Sequence, residues 1–142
     1  MFLVDYNFTE EQKILRDLCR QVAEEKIRPR SKELDEKEKF PAEMIKILGQ
    51  ADLFSLCIPE QYGGMGGGLM DLCIAAEELS RVDGGVAAVY AASFLGMFPI
   101  LLFGTEEQKK KFLPDIASGK HLAAFALTEP EAGSDASAVK TV

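Results

Sequence analysis

A mainly α-helical fold is predicted by three features of the sequence: a helix-start signature that occurs twice, apolar residues recurring at three- and four-residue spacing, and charged residues filling the positions between them. With 47% apolar and 27% charged residues over 142 positions, the composition is that of one ordinary globular domain with a core of its own. Only the last stretch breaks the helical pattern. Residues 121–142 carry a short apolar run, a Pro turn and a Gly-Ser-Asp sequence, the composition of a strand leading into a loop that touches a ligand.

The first helix starts at Thr9-Glu10-Glu11-Gln12, a capping box in which Thr9 accepts from the backbone N–H of Gln12 and the Gln12 side chain reaches back to the cap. Ile14, Leu15, Leu18, Val22 and Ile27 follow at helical spacing and predict the core-facing stripe; Pro29 predicts a kink or an end, with more solvated helix over residues 28–39. Phe40-Pro41 restarts order, Pro41 as first helical residue and Met44, Ile45, Ile47 and Leu48 as the apolar face, until Gly49 weakens the pattern. Residues 53–58 are apolar without a helical period, and residues 61–68, QYGGMGGG, are a loop.

Glycine density alone does not make that loop a phosphate cradle. It is neither GxGxxG nor followed by GK[ST], so a tightly approached or mobile turn is the expectation. From Leu69 to Val82, residues Leu72, Cys73, Ala76 and Leu79 share one helix face; Glu77, Glu78 and Arg81 are assigned to the opposite, solvated one, with Glu77 and Arg81 spaced to pair. Residues 84–105 carry no charge, a length that suits a bilayer crossing. Its Gly84, Gly85, Gly96, Pro99 and Gly104, and the lack of a positive anchor beside it, favour two buried pieces meeting near residues 96–99 over a span at 85–104. Thr105-Glu106-Glu107-Gln108 repeats the capping box and starts a helix through Phe112 that Pro114 closes, after which residues 121–128, HLAAFALT, form a strand.

A lone strand leaves its backbone hydrogen bonds unmet, so the reading divides the chain into a helical domain at 1–120 and the incomplete start of a β-domain at 121–142. The formal charge of −7 argues against a nucleic-acid surface, and Lys109-Lys110-Lys111 is a solvated helix face. Cys19, Cys57 and Cys73 form no CxxC pair, and one His is too few to complete a zinc site. MFLVDYNFTEEQ lacks the basic start of a secretory signal, which leaves a reducing, cytoplasmic setting as the expectation.

Four stretches in order, IPEQYGGMGGG, AAEELSRVDGG, LFGTEEQKKKFLPDIASGK and ALTEPEAGSD, resemble the acyl-CoA dehydrogenases. The resemblance implies an N-terminal up-down helical domain, a middle β-barrel-like domain begun here by its first strand, and a C-terminal helical bundle. It also implies FAD, a homo-oligomer, and oxidation of acyl-CoA to 2-enoyl-CoA by α-proton removal and β-hydride transfer, with electron-transfer flavoprotein as partner. Carried over by the same resemblance, Phe125, Ala126, Leu127, Thr128, Gly133 and Ser134 bind the flavin cofactor. Ser134, Ala87, Ala91 and Phe94 meet the acyl-CoA substrate, and an ordinary core role for the last three stands beside that assignment. Glu129 and Asp135 serve structural hydrogen bonds rather than chemistry.

The family's catalytic carboxylate belongs to the C-terminal bundle, so no catalytic residue is assigned within these 142 positions and the chain alone is expected to be inactive. The alternatives are a non-catalytic helical interaction module, one subunit of a split dehydrogenase, and a small membrane protein. Acyl-chain length and the electron acceptor are not legible.

Overall fold

The computed structural model describes residues 7–141; Met1 to Tyr6, the first half of the segment tested above for a secretory signal, and Val142 lie outside the described residues. Both capping boxes form as their sequences require. Thr9 Oγ1 accepts from Gln12 N at 3.2 Å and opens α1 (Glu10–Val22), and Thr105 Oγ1 accepts from Gln108 N at 3.3 Å to open α6 (Glu106–Ala117). Between them lie α2 (Arg28–Lys37), α3 (Ala42–Gln50), α4 (Leu69–Ser80) and α5 (Gly84–Phe103). The core is built from α1, α3, α4, α5 and α6 together with the buried segment 53–58.

Prolines end fewer helices than their usual rule suggests. Pro29 neither stops nor isolates a helix: a single π-helical turn, Ala23–Ile27, joins α1 to α2, with Arg28 N donating to Ala23 O five residues back. Pro99 lies inside α5 and Pro114 inside α6, so the uncharged stretch is one continuous helix rather than two pieces, and α6 runs on past Phe112 to Ala117. The same circumstance tolerates all three. A proline removes the donor that residue i−4 would have used, and the residues four back, Glu25, Leu95 and Lys110, all lie on the exposed side of their helices. Pro41 sits one position earlier than expected, as the N-cap of α3.

Two helix faces are rotated from their predicted positions. Along α1 and the π turn that follows it the buried side chains are Cys19, then Ala23 and Ile27, with Leu15 and Val22 partly covered, while Ile14 and Leu18 point outward. On α4, Cys73 is exposed and Glu78 is buried at 5% exposure. The predicted Glu77–Arg81 pair is replaced by Arg81 Nη1 to Glu78 Oε2 at 3.0 Å, and Arg20 of α1 grips Glu78 from the other side. A face buried against another helix is set by that neighbour, and a paired carboxylate can enter it.

The glycine-rich loop is held tightly. Met65, Gly66 and Gly67 donate their N–H groups to the carbonyls of Ser55, Ile58 and Leu56, so the loop folds back along the buried 53–58 segment. A Cβ at Gly64 would lie 1.8 Å from Ile58 O, which makes glycine a requirement of that close approach. Tyr62, also buried, ties the loop to α6 by donating to Glu106 Oε2 at 2.8 Å.

Helix α5 is the one helix among the described residues long and apolar enough to cross a membrane. Val86, Ala87, Tyr90, Ser93, Phe94, Gly96 and Met97 are nevertheless buried along it, and the Tyr90 hydroxyl donates to Leu53 O at 3.0 Å. The helix is packed from one side by the rest of the core.

Candidate functional site

The segment after α6 carries the predicted cofactor residues. Two residues past the end of α6, Gly119 at φ 67° makes a left-handed turn in which Gly119 and Gly49 of α3 meet backbone to backbone. Asp115 then organises the exit: its carbonyl accepts from His121 N, its carboxylate holds Lys120 Nζ and His121 Nδ1 at 3.1 Å each, and the Lys120 bond in particular keeps that carboxyl below the usual range.

Residues 121–128 form no strand, because among the described residues no partner strand exists and the only β pairing is an isolated antiparallel bridge, Glu129 with Ala132. The segment instead lies across α5, where Ala123 N donates to Ser93 Oγ at 3.1 Å and the 123–124 backbone passes over Gly96. Beyond that crossing every predicted cofactor residue is exposed: Phe125, Ala126, Leu127, Thr128, Gly133 and Ser134. Phe125 is 53% and Leu127 46% exposed, so two large apolar side chains face outward on one short segment.

The hydrogen-bonding groups there are equally open. Among the described residues no partner exists for the Thr128 or Ser134 hydroxyl, or for the backbone N–H of Leu127, Thr128, Gly133 or Ser134. Gly133 has no left-handed φ, and a Cβ added to it would meet no atom within 4 Å. The chain's own packing therefore does not demand glycine at that position.

The carboxylates of the segment are occupied. Glu129 accepts from Lys140 N at 2.9 Å and Thr141 N at 3.0 Å, and also from the Thr141 hydroxyl; the backbone bond from Lys140 foremost lowers its pKa and keeps it ionised. Glu131 pairs with Lys140, and Asp135 caps a short 3-10 turn (Ala136–Ala138) by accepting from Ser137 N. These bonds give Glu129 and Asp135 the structural role expected of them.

The predicted substrate residues are divided. Ala87 and Phe94 are buried, and Phe94 belongs to an aromatic cluster with Phe54, Tyr90 and Phe98 whose ring centroids lie 5.1–6.4 Å apart. Ala91 is half-buried on the same helix, and Ser134 is remote in sequence and exposed. Ser93 was not singled out by sequence, and Gly96 only as a break in the apolar stretch; a glycine and a serine one turn apart inside a long apolar helix were the available sign.

Residues 9–120 match the family model described as acyl-CoA dehydrogenase, N-terminal domain. Among curated relatives, an acyl-CoA dehydrogenase of Bacillus subtilis is 41% identical over 94% of this chain and 35% of its own length. A short-chain-specific acyl-CoA dehydrogenase of Clostridium acetobutylicum is 41% identical over 98% and 37%, and an acryloyl-CoA reductase (NADH) of Anaerotignum propionicum 41% over 97% and 35%. Among solved structures, butyryl-CoA dehydrogenase of Megasphaera elsdenii superposes with a TM-score of 0.89 at 38% identity, covering 97% of this chain and 37% of that one. An acyl-CoA dehydrogenase of Bacillus anthracis complexed with FAD gives 0.88 at 38%, covering 97% and 24%. A chain from a study of the electron transferring flavoprotein of Acidaminococcus fermentans gives 0.91 at 43%, covering 95% and 36%. The chain thus spans little more than a third of the curated relatives' length, and it belongs to the acyl-CoA dehydrogenase family, of which it represents the N-terminal part.

Proposed function

We propose that these residues are the N-terminal part of an FAD-dependent acyl-CoA dehydrogenase that converts an acyl-CoA thioester to the 2-enoyl-CoA. The observation that carries the reading is the outward display on residues 125–134 of apolar side chains, unpaired donors and a bare glycine that nothing among the described residues uses. The fit to FAD is chemical: Phe125 and Leu127 suit contact with a flat aromatic ring, Leu127 N and Thr128 N and Oγ1 suit its carbonyl-bearing edge, and Gly133 and Ser134 suit a phosphate or thioester oxygen.

When bound, FAD supplies the acceptor for the β-hydrogen as hydride. The backbone N–H groups of Leu127 and Thr128 and the Thr128 hydroxyl would hold the ring's carbonyl-bearing edge and would favour negative charge there. The Ser134 hydroxyl orients the thioester, and Ala87, Ala91 and Phe94 wall its acyl chain, Ala91 from a half-open position. As the resemblance implies, the α-proton would go to a carboxylate outside these residues; the acids beside the exposed segment, Glu129, Glu131 and Asp135, are engaged by Lys140, Thr141 and Ser137.

By this reading the partners are acyl-CoA, electron-transfer flavoprotein and further copies of the protein, in a reducing, cytoplasmic setting. Reduction of an enoyl-CoA uses the same hydride step in reverse, and the acryloyl-CoA reductase relative at 41% identity makes it the second reading. The test is turnover of acyl-CoA with an artificial electron acceptor. The 142-residue chain alone should give none, and the complete polypeptide containing it should give turnover that requires FAD; robust turnover by the chain alone contradicts the assignment of the base elsewhere.

A further inference from the structure

We propose that Ser93 and Gly96 of α5 are positioning residues that set the register and depth of the flavin-facing segment; the role rests on the reading of residues 125–134 given above. The two stand three apart and so share a helix face. Ser93 is 1% exposed, yet its Oγ is spent on a backbone N–H from outside the helix, that of Ala123 at 3.1 Å.

That bond is the only one the backbone N–H groups of residues 122–128 make among the described residues. The preceding anchor is His121 N on Asp115 O, and the following one is the Glu129–Ala132 bridge. With no neighbouring strand in these residues to fix alignment, a single side-chain oxygen chooses which peptide of the segment meets the helix.

Gly96 sets the depth. A Cβ there would lie 2.6 Å from Ala124 N and 2.8 Å from Ala123 C, so any larger residue lifts the segment away from α5. The clash is with backbone, which cannot rotate aside. Glycine in a helix interior is otherwise unfavourable, and the close passage explains its presence at this point.

The consequence reaches the cofactor residues directly. A slip of one residue at Ser93 displaces the following positions by about 3.3 Å along the segment and exchanges the sides on which neighbours project. That displacement exceeds the tolerance of a hydrogen bond, so Leu127 N and Thr128 Oγ1 would lose a ligand atom that they meet in register.

The test combines amide hydrogen exchange with flavin binding in the complete polypeptide. Ser93→Ala should exchange the Ala123 amide about fivefold faster or more, the loss expected for one net hydrogen bond, and should weaken flavin retention with a shifted visible spectrum. Ser93→Thr keeps the hydroxyl and should restore both. Gly96→Ala should loosen the segment while leaving the helical unfolding transition no lower, since alanine favours the helix.

Unchanged Ala123 exchange in Ser93→Ala overturns the proposal. So does faster exchange with flavin affinity and spectrum unchanged. If the unsubstituted polypeptide takes up no flavin, the proposed function fails, and the cofactor-positioning role falls with it; the exchange arm distinguishes that result from failure of the Ser93 contact itself.

Discussion

Arg20 of α1 holds Glu78 of α4 with two parallel bonds, Nε to Oε2 at 3.0 Å and Nη2 to Oε1 at 2.8 Å, across 58 residues of sequence. Arg81 adds a third contact to the same carboxylate at 3.0 Å. Glu78 is nearly inaccessible while both arginines are about half exposed, so the carboxylate is drawn into the α1–α4 seam and its charge is met from the rim.

Stability should therefore fall in acid through this residue. Hydrogen bonding from Arg20 foremost, opposed by burial and aided by both positive charges, places the folded-state pKa of Glu78 below its ordinary value. A lowered folded pKa gives stability that is complete above the unfolded value, about 4.3 for glutamate, and lost as pH falls from there through the folded value. Glu78→Gln should cost about 2 kcal/mol at neutral pH and flatten the acid limb of the stability profile, as measured by urea unfolding at a series of pH values.

Removing one oxygen from the aromatic cluster gives a smaller, separable loss. Tyr90 is fully buried, and burial foremost raises its phenol pKa, so it stays a neutral donor to Leu53 O. Tyr90→Phe should cost about 1–2 kcal/mol through the unpaired carbonyl, and Tyr90→Ala about 3–5 kcal/mol through the cavity as well, both readable in thermal unfolding.

The two glycines at 63 and 64 should respond oppositely in size. Gly63 has φ 83° with open space around it, so Gly63→Ala should cost only about 1–2 kcal/mol of backbone strain. Gly64→Ala drives a Cβ into Ile58 O and should cost about 3 kcal/mol or more, or prevent folding. Denaturant midpoints of the two variants decide the matter.

These contrasts show what sequence could and could not say. The capping boxes at Thr9 and Thr105 were legible because donor and acceptor lie within one turn. The continuity of α5 through Pro99, and of α6 through Pro114, was not, because tolerance of proline depends on whether the residue four back lies on the exposed side of its helix. Glu78 was assigned to solvent because only its local partners were visible, whereas Arg20 comes from another helix. The segment proposed to meet the cofactor was singled out by its motif; its tether to Ser93 was not legible, since a hydrogen bond spanning 30 residues leaves no periodic trace.

Substitutions on the exposed segment should separate binding from folding. Thr128→Val and Ser134→Ala remove hydroxyls that have no partner among the described residues, so each should change stability by less than about 0.5 kcal/mol. Each should weaken flavin or thioester binding in the complete polypeptide by about three- to tenfold, the worth of one hydrogen bond, as read by equilibrium titration.

The most direct measurement of the central claim is the visible flavin spectrum of the purified complete polypeptide, recorded without oxygen before and after addition of acyl-CoA. The account predicts a bound-flavin spectrum that bleaches on addition of the thioester and is weakened by Thr128→Val. A polypeptide that folds, binds no flavin when supplied with FAD, and shows no spectral response to acyl-CoA would contradict it.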